Sequence, residues 1–358
     1  MASDHRKGLV AATVAALLFG LSTPLVKRQL AEVPSAPVLA GLLYLGAAVA
    51  VAASRAVRGS EGAGSGPALT RRDVPALVAV MLCGGVIAPL LLVVGLRHLT
   101  GLGGSLLLTL EGPATVLLAI IIFGDRLGRR AGGGAGVIFL GALLVAAAGG
   151  GSGAWSLLGA SSIGAACLFW AIDNNLTQRL SHHDIFVLVT LKCGVAGSVN
   201  VAIALALGHS FPVPSAALLV LAIGAVCYGA SIVLDAYALR YVGAAREAAL
   251  FATAPFVGAI ASIVLFGDSP SWLIAIGGLC MASGIYLLVG ERHEHEHQHA
   301  VLVHEHPHEH DQHHQHDHAS ADSIGPHTHR HRHERLTHTH DHVDDAHHRH
   351  LHGTGNSV

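Results

Sequence analysis

Charge is what this sequence has least of. Only 12% of its 358 residues are Asp, Glu, Lys or Arg, while 52% are hydrophobic, and the mean hydropathy is +0.54. A soluble chain of this length would form two or three domains with charged surfaces, and this composition excludes that. Cysteine is scarce too. Cys83, Cys167, Cys193, Cys227 and Cys280 all lie in apolar runs, and none forms a Cys-x-x-Cys pair. A Cys in such a run behaves as a small hydrophobe, so neither a disulfide framework nor a thiolate metal site is indicated. No nucleophile–base pair is evident. The Gly-rich patterns lack both a preceding strand and a following Lys-Ser/Thr, which argues against nucleotide binding and against an enzyme. No clear cleavage site follows Arg6 and Lys7, so the first apolar run reads as an anchor that stays.

The shortage is uneven. Up to Gly290 there are 16 Lys/Arg and 11 Asp/Glu, a net charge of +5. From Glu291 onward there are 5 Arg and 12 Asp/Glu, a net charge of −7, together with 23 of the 28 His. The first part is membrane-like and the second is a polar low-complexity tail.

A membrane-spanning helix needs about 20 mostly apolar residues. Ten runs meet that rule, at roughly 8–26, 36–54, 74–96, 102–123, 132–149, 157–178, 184–207, 215–239, 244–266 and 271–290. Pro34, Pro37, the linker from Gly59 to Pro67, Gly149 to Gly153 and Phe211-Pro212-Val213-Pro214 punctuate them. With the N-terminus cytoplasmic, the inner loops hold 11 Lys/Arg (Arg6, Lys7, Arg55, Arg58, Arg71, Arg72, Arg126, Arg129, Arg130, Arg179, Arg240) and the outer loops 3 (Lys27, Arg28, Arg97). The positive-inside rule favours that orientation, and an even number of spans returns the C-terminus to the same side.

One stretch occurs twice. Leu96-Arg97-His98-Leu99, Gly112-Pro113 and Phe123-Gly124-Asp125 are answered by Leu239-Arg240-Tyr241-Val242, Ala254-Pro255 and Phe266-Gly267-Asp268, offset by 143 residues at both ends. Leu18-Phe19-Gly20 is answered by Leu168-Phe169-Trp170. Each half has an odd number of helices, so a duplication here gives two antiparallel halves, as in many secondary transporters. The expected fold is an all-α integral membrane protein of ten transmembrane helices in two inverted five-helix repeats, 1–150 and 151–290, followed by a disordered cytoplasmic tail, 291–358.

These features resemble the drug/metabolite transporter superfamily, and its EamA-type branch in particular. The resemblance rests on Leu239-Arg240, Ala244-Ala245-Arg246, Pro255, Phe266-Gly267-Asp268 and Trp170-Ala171 with Arg179. It implies a multi-pass inner-membrane carrier of small molecules that works without ATP. Many members have Glu directly before the proline of helix four. Here Gly112 separates Glu111 from Pro113, which turns the carboxylate about 100° around the helix, so the resemblance assigns Glu111 no role.

Charge inside a membrane is costly and tends to face a cavity or a partner. Glu111, Asp173, Lys192, Asp235, Arg246 and Glu247 fall inside the expected spans. Arg246, Glu247 and Asp235 can snorkel to the inner interface. Asp173 and Lys192 form either a structural ion pair between adjacent helices or part of an inward-facing vestibule, in which Asp173 accepts a proton or holds a substrate amine. Asn174 and Asn175 supply amide donors and acceptors. The candidate substrate and coupling-ion pathway is thus Glu111, Asp173, Asn174, Asn175, Lys192 and Asp235.

In the tail, His293, His295, His297, His299, His304, His306, His308 and His310 alternate largely with acids. Imidazole suits Zn, Ni, Co and Cu ions, either from a transient helix or from an extended strand. No other cofactor is required. Expected partners are a small-molecule substrate, the lipid bilayer and divalent metal ions, with a homodimer left open and no nucleic acid. The reading is a secondary active transporter, an exporter of a small solute across the bacterial inner membrane, with both termini cytoplasmic. The alternative is a divalent transition-metal (Ni/Co/Zn) transporter that uses the tail as buffer or sensor. His98, His182, His183 and His209 sit at loop edges rather than within the spans, which argues against that alternative.

Overall fold

In a membrane every backbone polar group must be satisfied internally, so long apolar runs become helices. The computed structural model describes residues 2–58, 69–123, 129–148, 154–180, 183–242, 250–289, 293–299, 302–308, 327–333 and 336–342, and up to Val289 its apolar runs are helical. The helices are α1 (Ala2–Gln29), α2 (Ala36–Arg58), α3 (Val74–Val80, a π-helical turn Met81–Ile87, then Ala88–His98) and α4 (Gly101–Leu107, a 3-10 turn Leu108–Leu110, then Glu111–Phe123). Next come α5 (Arg129–Ala148), α6 (Ala154–Leu180), α7 (Ile185–Ala206) and α8 (Pro214–Ile223, a π-helical turn Gly224–Ala230, then Ser231–Val242). The last two are α9 (Ala254–Phe266) and α10 (Trp272–Val289).

Ten spans were expected. Among the described residues, eight helices are long and apolar enough to cross a membrane, and two shorter apolar helices, Ala254–Phe266 and Trp272–Leu288, stand at the ninth and tenth positions. The ninth is short because a turn at 252–253 interrupts it ahead of Pro255, whose ring excludes the carbonyl four residues back. Residues 243–249, including Arg246 and Glu247, lie outside the described residues, as does Asp125.

The repeat is visible in the geometry. The π turns begin at Met81 and Gly224, the limbs after the helix breaks at Glu111 and Ala254, and the fifth and tenth helices at Arg129 and Trp272, each pair 143 residues apart. Packing obeys the same exchange. α1 lies on the second limb of α8, and α6 lies on the second limb of α3; α1 meets α9, and α6 meets α4; α2 meets α7, and α5 meets α10.

The halves are inverted. Gly41 lies against Val201, Gly197 against Leu45 and Gly194 against Ala48, so α2 and α7 run antiparallel. Gly134 meets Gly284 and Gly141 meets Gly277, so α5 and α10 do the same. A Cβ on Gly134 would stand 2.7 Å from the Gly284 carbonyl oxygen, and one on Gly284 2.6 Å from that of Gly134. These glycines let two backbones touch, the usual basis of tight helix association in lipid.

Loop contacts sort into two ends. At one, Arg55 pairs with Asp184 at 3.2 Å and His183 with Asp73 at 3.3 Å. At the other, Ser35 bonds His209 at 2.7 Å, Lys27 donates to the Leu96 carbonyl, and Asp268 accepts from the Leu102 N–H at 3.0 Å. Asp268 closes the second copy of the repeated stretch, yet it satisfies the helix start of the first.

The helical body, Met1–Gly290, and the tail, Glu291–Val358, are separate compact units. Four segments of the tail are extended. β1 (His293–His299) pairs antiparallel with β4 (Leu336–His342), and β2 (Leu302–His308) with β3 (His327–His333). The two-residue alternation of these segments suits a strand better than a coil.

Candidate functional site

The site starts from a proline. Pro89 has no N–H, so it can donate neither to Gly85 in an α-turn nor to Gly84 in a π-turn. Side chains from three other helices take up the freed carbonyls. Tyr44 Oη of α2 donates to Gly84 at 2.7 Å and Trp170 Nε1 of α6 donates to it at 3.1 Å. Asn200 Nδ2 of α7 donates to Gly85 at 3.1 Å. The widened turn of α3 is thereby held among α2, α6 and α7.

Asp173 fills the space beside that turn. A Cβ on Gly84 would lie 2.0 Å from Asp173 Oδ2, so only glycine permits the approach. The aspartate is 2% exposed. Lys192 Nζ of α7 donates to its Oδ2, and Thr177 Oγ1, one turn along α6, donates to its Oδ1 at 3.2 Å. Both carboxylate oxygens are therefore engaged. A buried acid held this way is costly to leave without its partner.

The next two residues turn toward α4. Asn174 Nδ2 donates to Glu111 Oε1 at 2.8 Å and approaches Thr115 Oγ1 at 3.4 Å. Asn175 Nδ2 donates to the Thr115 carbonyl at 3.1 Å and to the Ala171 carbonyl at 2.8 Å. Glu111 opens the limb that follows the 3-10 turn. Thr109 Oγ1 donates back to the Leu106 carbonyl at 2.8 Å in that turn, as Thr253 does to Leu250 at 2.6 Å ahead of α9. Among the described residues, no ion pair joins Glu111 to a cation.

Of the six pathway residues expected from sequence, the structure brings five together: Glu111, Asp173, Asn174, Asn175 and Lys192. Asp235 sits half-buried on the limb of α8 that packs against α1, and none of the hydrogen bonds joining the five involves it. Among residues whose side chains are described, no group of three or more His, Cys, Asp or Glu is placed to hold a metal ion.

Residues 6–147 match the EamA-like transporter family, and residues 157–290 match it a second time. The chain belongs to that family. A protein described as an uncharacterized transporter from Methanothermobacter thermautotrophicus is 29% identical to this EamA-type chain over 225 residues. The match covers 62% of this chain and 66% of the relative, just under two thirds of its length. A solved crystal structure is similar in fold, with a TM-score of 0.58 at 19% identity, covering 78% of this chain and 95% of that one.

Sequence reasoning about this EamA-type protein missed Tyr44, Gly84, Thr115, Thr177 and Asn200 as parts of the site. Trp170 stood out only in the internal repeat and in the family pattern. A usable signal was present in Pro89, since a proline inside an apolar span announces freed carbonyls that must find donors.

Proposed function

We propose that this EamA-type protein is a secondary active transporter, an exporter of a small solute across the bacterial inner membrane, with both termini cytoplasmic and a metal-binding tail. The observation that carries the reading is the asymmetry between two acids at one site. Asp173 is neutralised by Lys192 and saturated by Thr177. Glu111 is half-buried and meets the neutral amide of Asn174. An acid within a membrane that meets an amide rather than an ion-pair partner is suited to take up a proton or a cationic group and release it as the surroundings change. Glu111 is therefore the coupling residue in this reading, and Asp173 with Lys192 is the post that sets its surroundings. Asn174 and Asn175 position α4 against α6.

The alternative, transport of a divalent transition metal, draws on the tail alone. A deletion strain screened for sensitivity to metabolites, toxic analogues and metals tests both readings. Wild-type protein should restore tolerance to an organic solute, and protein lacking Glu291 to Val358 should do so equally. Restoration of metal tolerance only, and only with the tail present, would overturn the organic-solute reading.

A further inference from the structure

We propose that the β1–β4 ladder is a site for a borderline divalent metal ion such as Zn²⁺, built from histidines of two strands that lie some forty residues apart in the chain. The proposal rests on the metal-binding reading of the tail and says where the ligands are. In the ladder, His293 pairs with His342, His295 with His340 and His297 with His338. Alternate residues of a strand share one face, so six histidines form two facing columns on one side. Directly paired residues in an antiparallel ladder have Cα atoms about 4.5–5.5 Å apart, and the next rung on the same face is about 7 Å along. Two adjacent rungs thus bring four histidine positions together in the backbone register, the number of ligands a tetrahedral zinc site takes.

The β2–β3 ladder repeats the pattern, with His304 opposite His331, His306 opposite His329 and His308 opposite His327. Charge separates the two. The β1 and β4 strands carry Glu294, Glu296 and Asp341 and no basic residue, whereas β2 and β3 carry Glu305 with Arg330 and Arg332. A bound cation adds to the repulsion in the second ladder and offsets it in the first, so the tightest site belongs to β1–β4. Sequence spacing alone suggests chelation within one run of histidines. The register instead makes the second run, His338 to His342, half of the site.

The test is a zinc titration of the purified full-length protein against a competing chelator. Replacing His338, His340 and His342 with Ala is expected to weaken the tightest zinc at least tenfold. Replacing His313, His314 and His316, or His327, His329 and His331, removes the same number of imidazoles and is expected to leave that affinity within twofold. Equal losses from all three variants would overturn the cross-strand site and leave a tail that binds by histidine density. A loss confined to the His327 set would assign the site to the wrong ladder. Failure of the wild-type protein to bind zinc would overturn both the site and the metal-binding tail.

Discussion

Asn174 reaches across from α6 to Glu111 of α4 at 2.8 Å, so the acid at the break of the fourth helix is held by an amide rather than by a cation. Substituting Glu111→Gln removes the ionisable group and keeps an oxygen for Asn174 to donate to. The expected result is a folded protein that fails to complement the deletion strain at wild-type expression. Complementation at the wild-type level would remove Glu111 from the coupling mechanism.

Asp173 and Lys192 should behave as a unit. Breaking a buried pair by removing one partner costs about 3–5 kcal/mol, while replacing both with neutral groups costs much less. Asp173→Asn and Lys192→Met are each expected to lower unfolding stability by amounts of that order. The double variant should lose less than either single one. Denaturant unfolding in detergent measures the cycle, and simple additivity would show that the pair is not coupled.

Gly84→Ala places a methyl group 2.0 Å from Asp173 Oδ2. Overpacking of this kind costs about 1–3 kcal/mol, and here it also pushes the carboxylate from Lys192. Gly136→Ala, where nothing lies within 4 Å, is the control and should change the melting temperature little. Similar melting temperatures for the two would mean that α3 yields at the π turn at no cost.

Asp268 supplies an acceptor to the Leu102 N–H at the start of α4. Loss of a helix-capping acceptor costs about 0.5–2 kcal/mol. Asp268→Ala is expected to fall in that range and Asp268→Asn to retain most of the stability. Thermal unfolding of the two variants separates the cap from a general effect of charge.

Much of this architecture was legible in the sequence because its signals are strong. Apolar runs of membrane length, the 143-residue echo ending in Phe-Gly-Asp and the bias of Lys and Arg led to the helical body and its two inverted halves. The clustering of Asp173 and Lys192 was legible too, since two opposite charges on neighbouring spans have few other places to go. The breaks were harder. A turn such as Leu108–Leu110 is a local answer to Pro113, and no periodicity reveals which side chains will satisfy the freed groups. Tyr44 and Asn200 looked like ordinary residues of apolar helices because their role depends on Pro89, an element away. In the tail, composition suggested disorder; the two-residue alternation allowed an extended strand, but nothing in the spacing indicates which strands pair to form β1–β4 and β2–β3.

The paired π turns carry information about descent. A π turn is an α-helix with one residue added, and it persists where the surrounding helices have adapted to it. Met81–Ile87 and Gly224–Ala230 are equally long and separated by the same interval as the Phe-Gly-Asp motifs. Pro89 follows the first turn, whereas Ile232 stands at the matching position after the second, so a π turn forms here with or without the proline. The simplest history is a single residue inserted into an ancestral five-helix protein before its gene doubled. The two halves thus share the turn and differ in the groups around it: the first presents Gly84 to the Asp173 carboxylate.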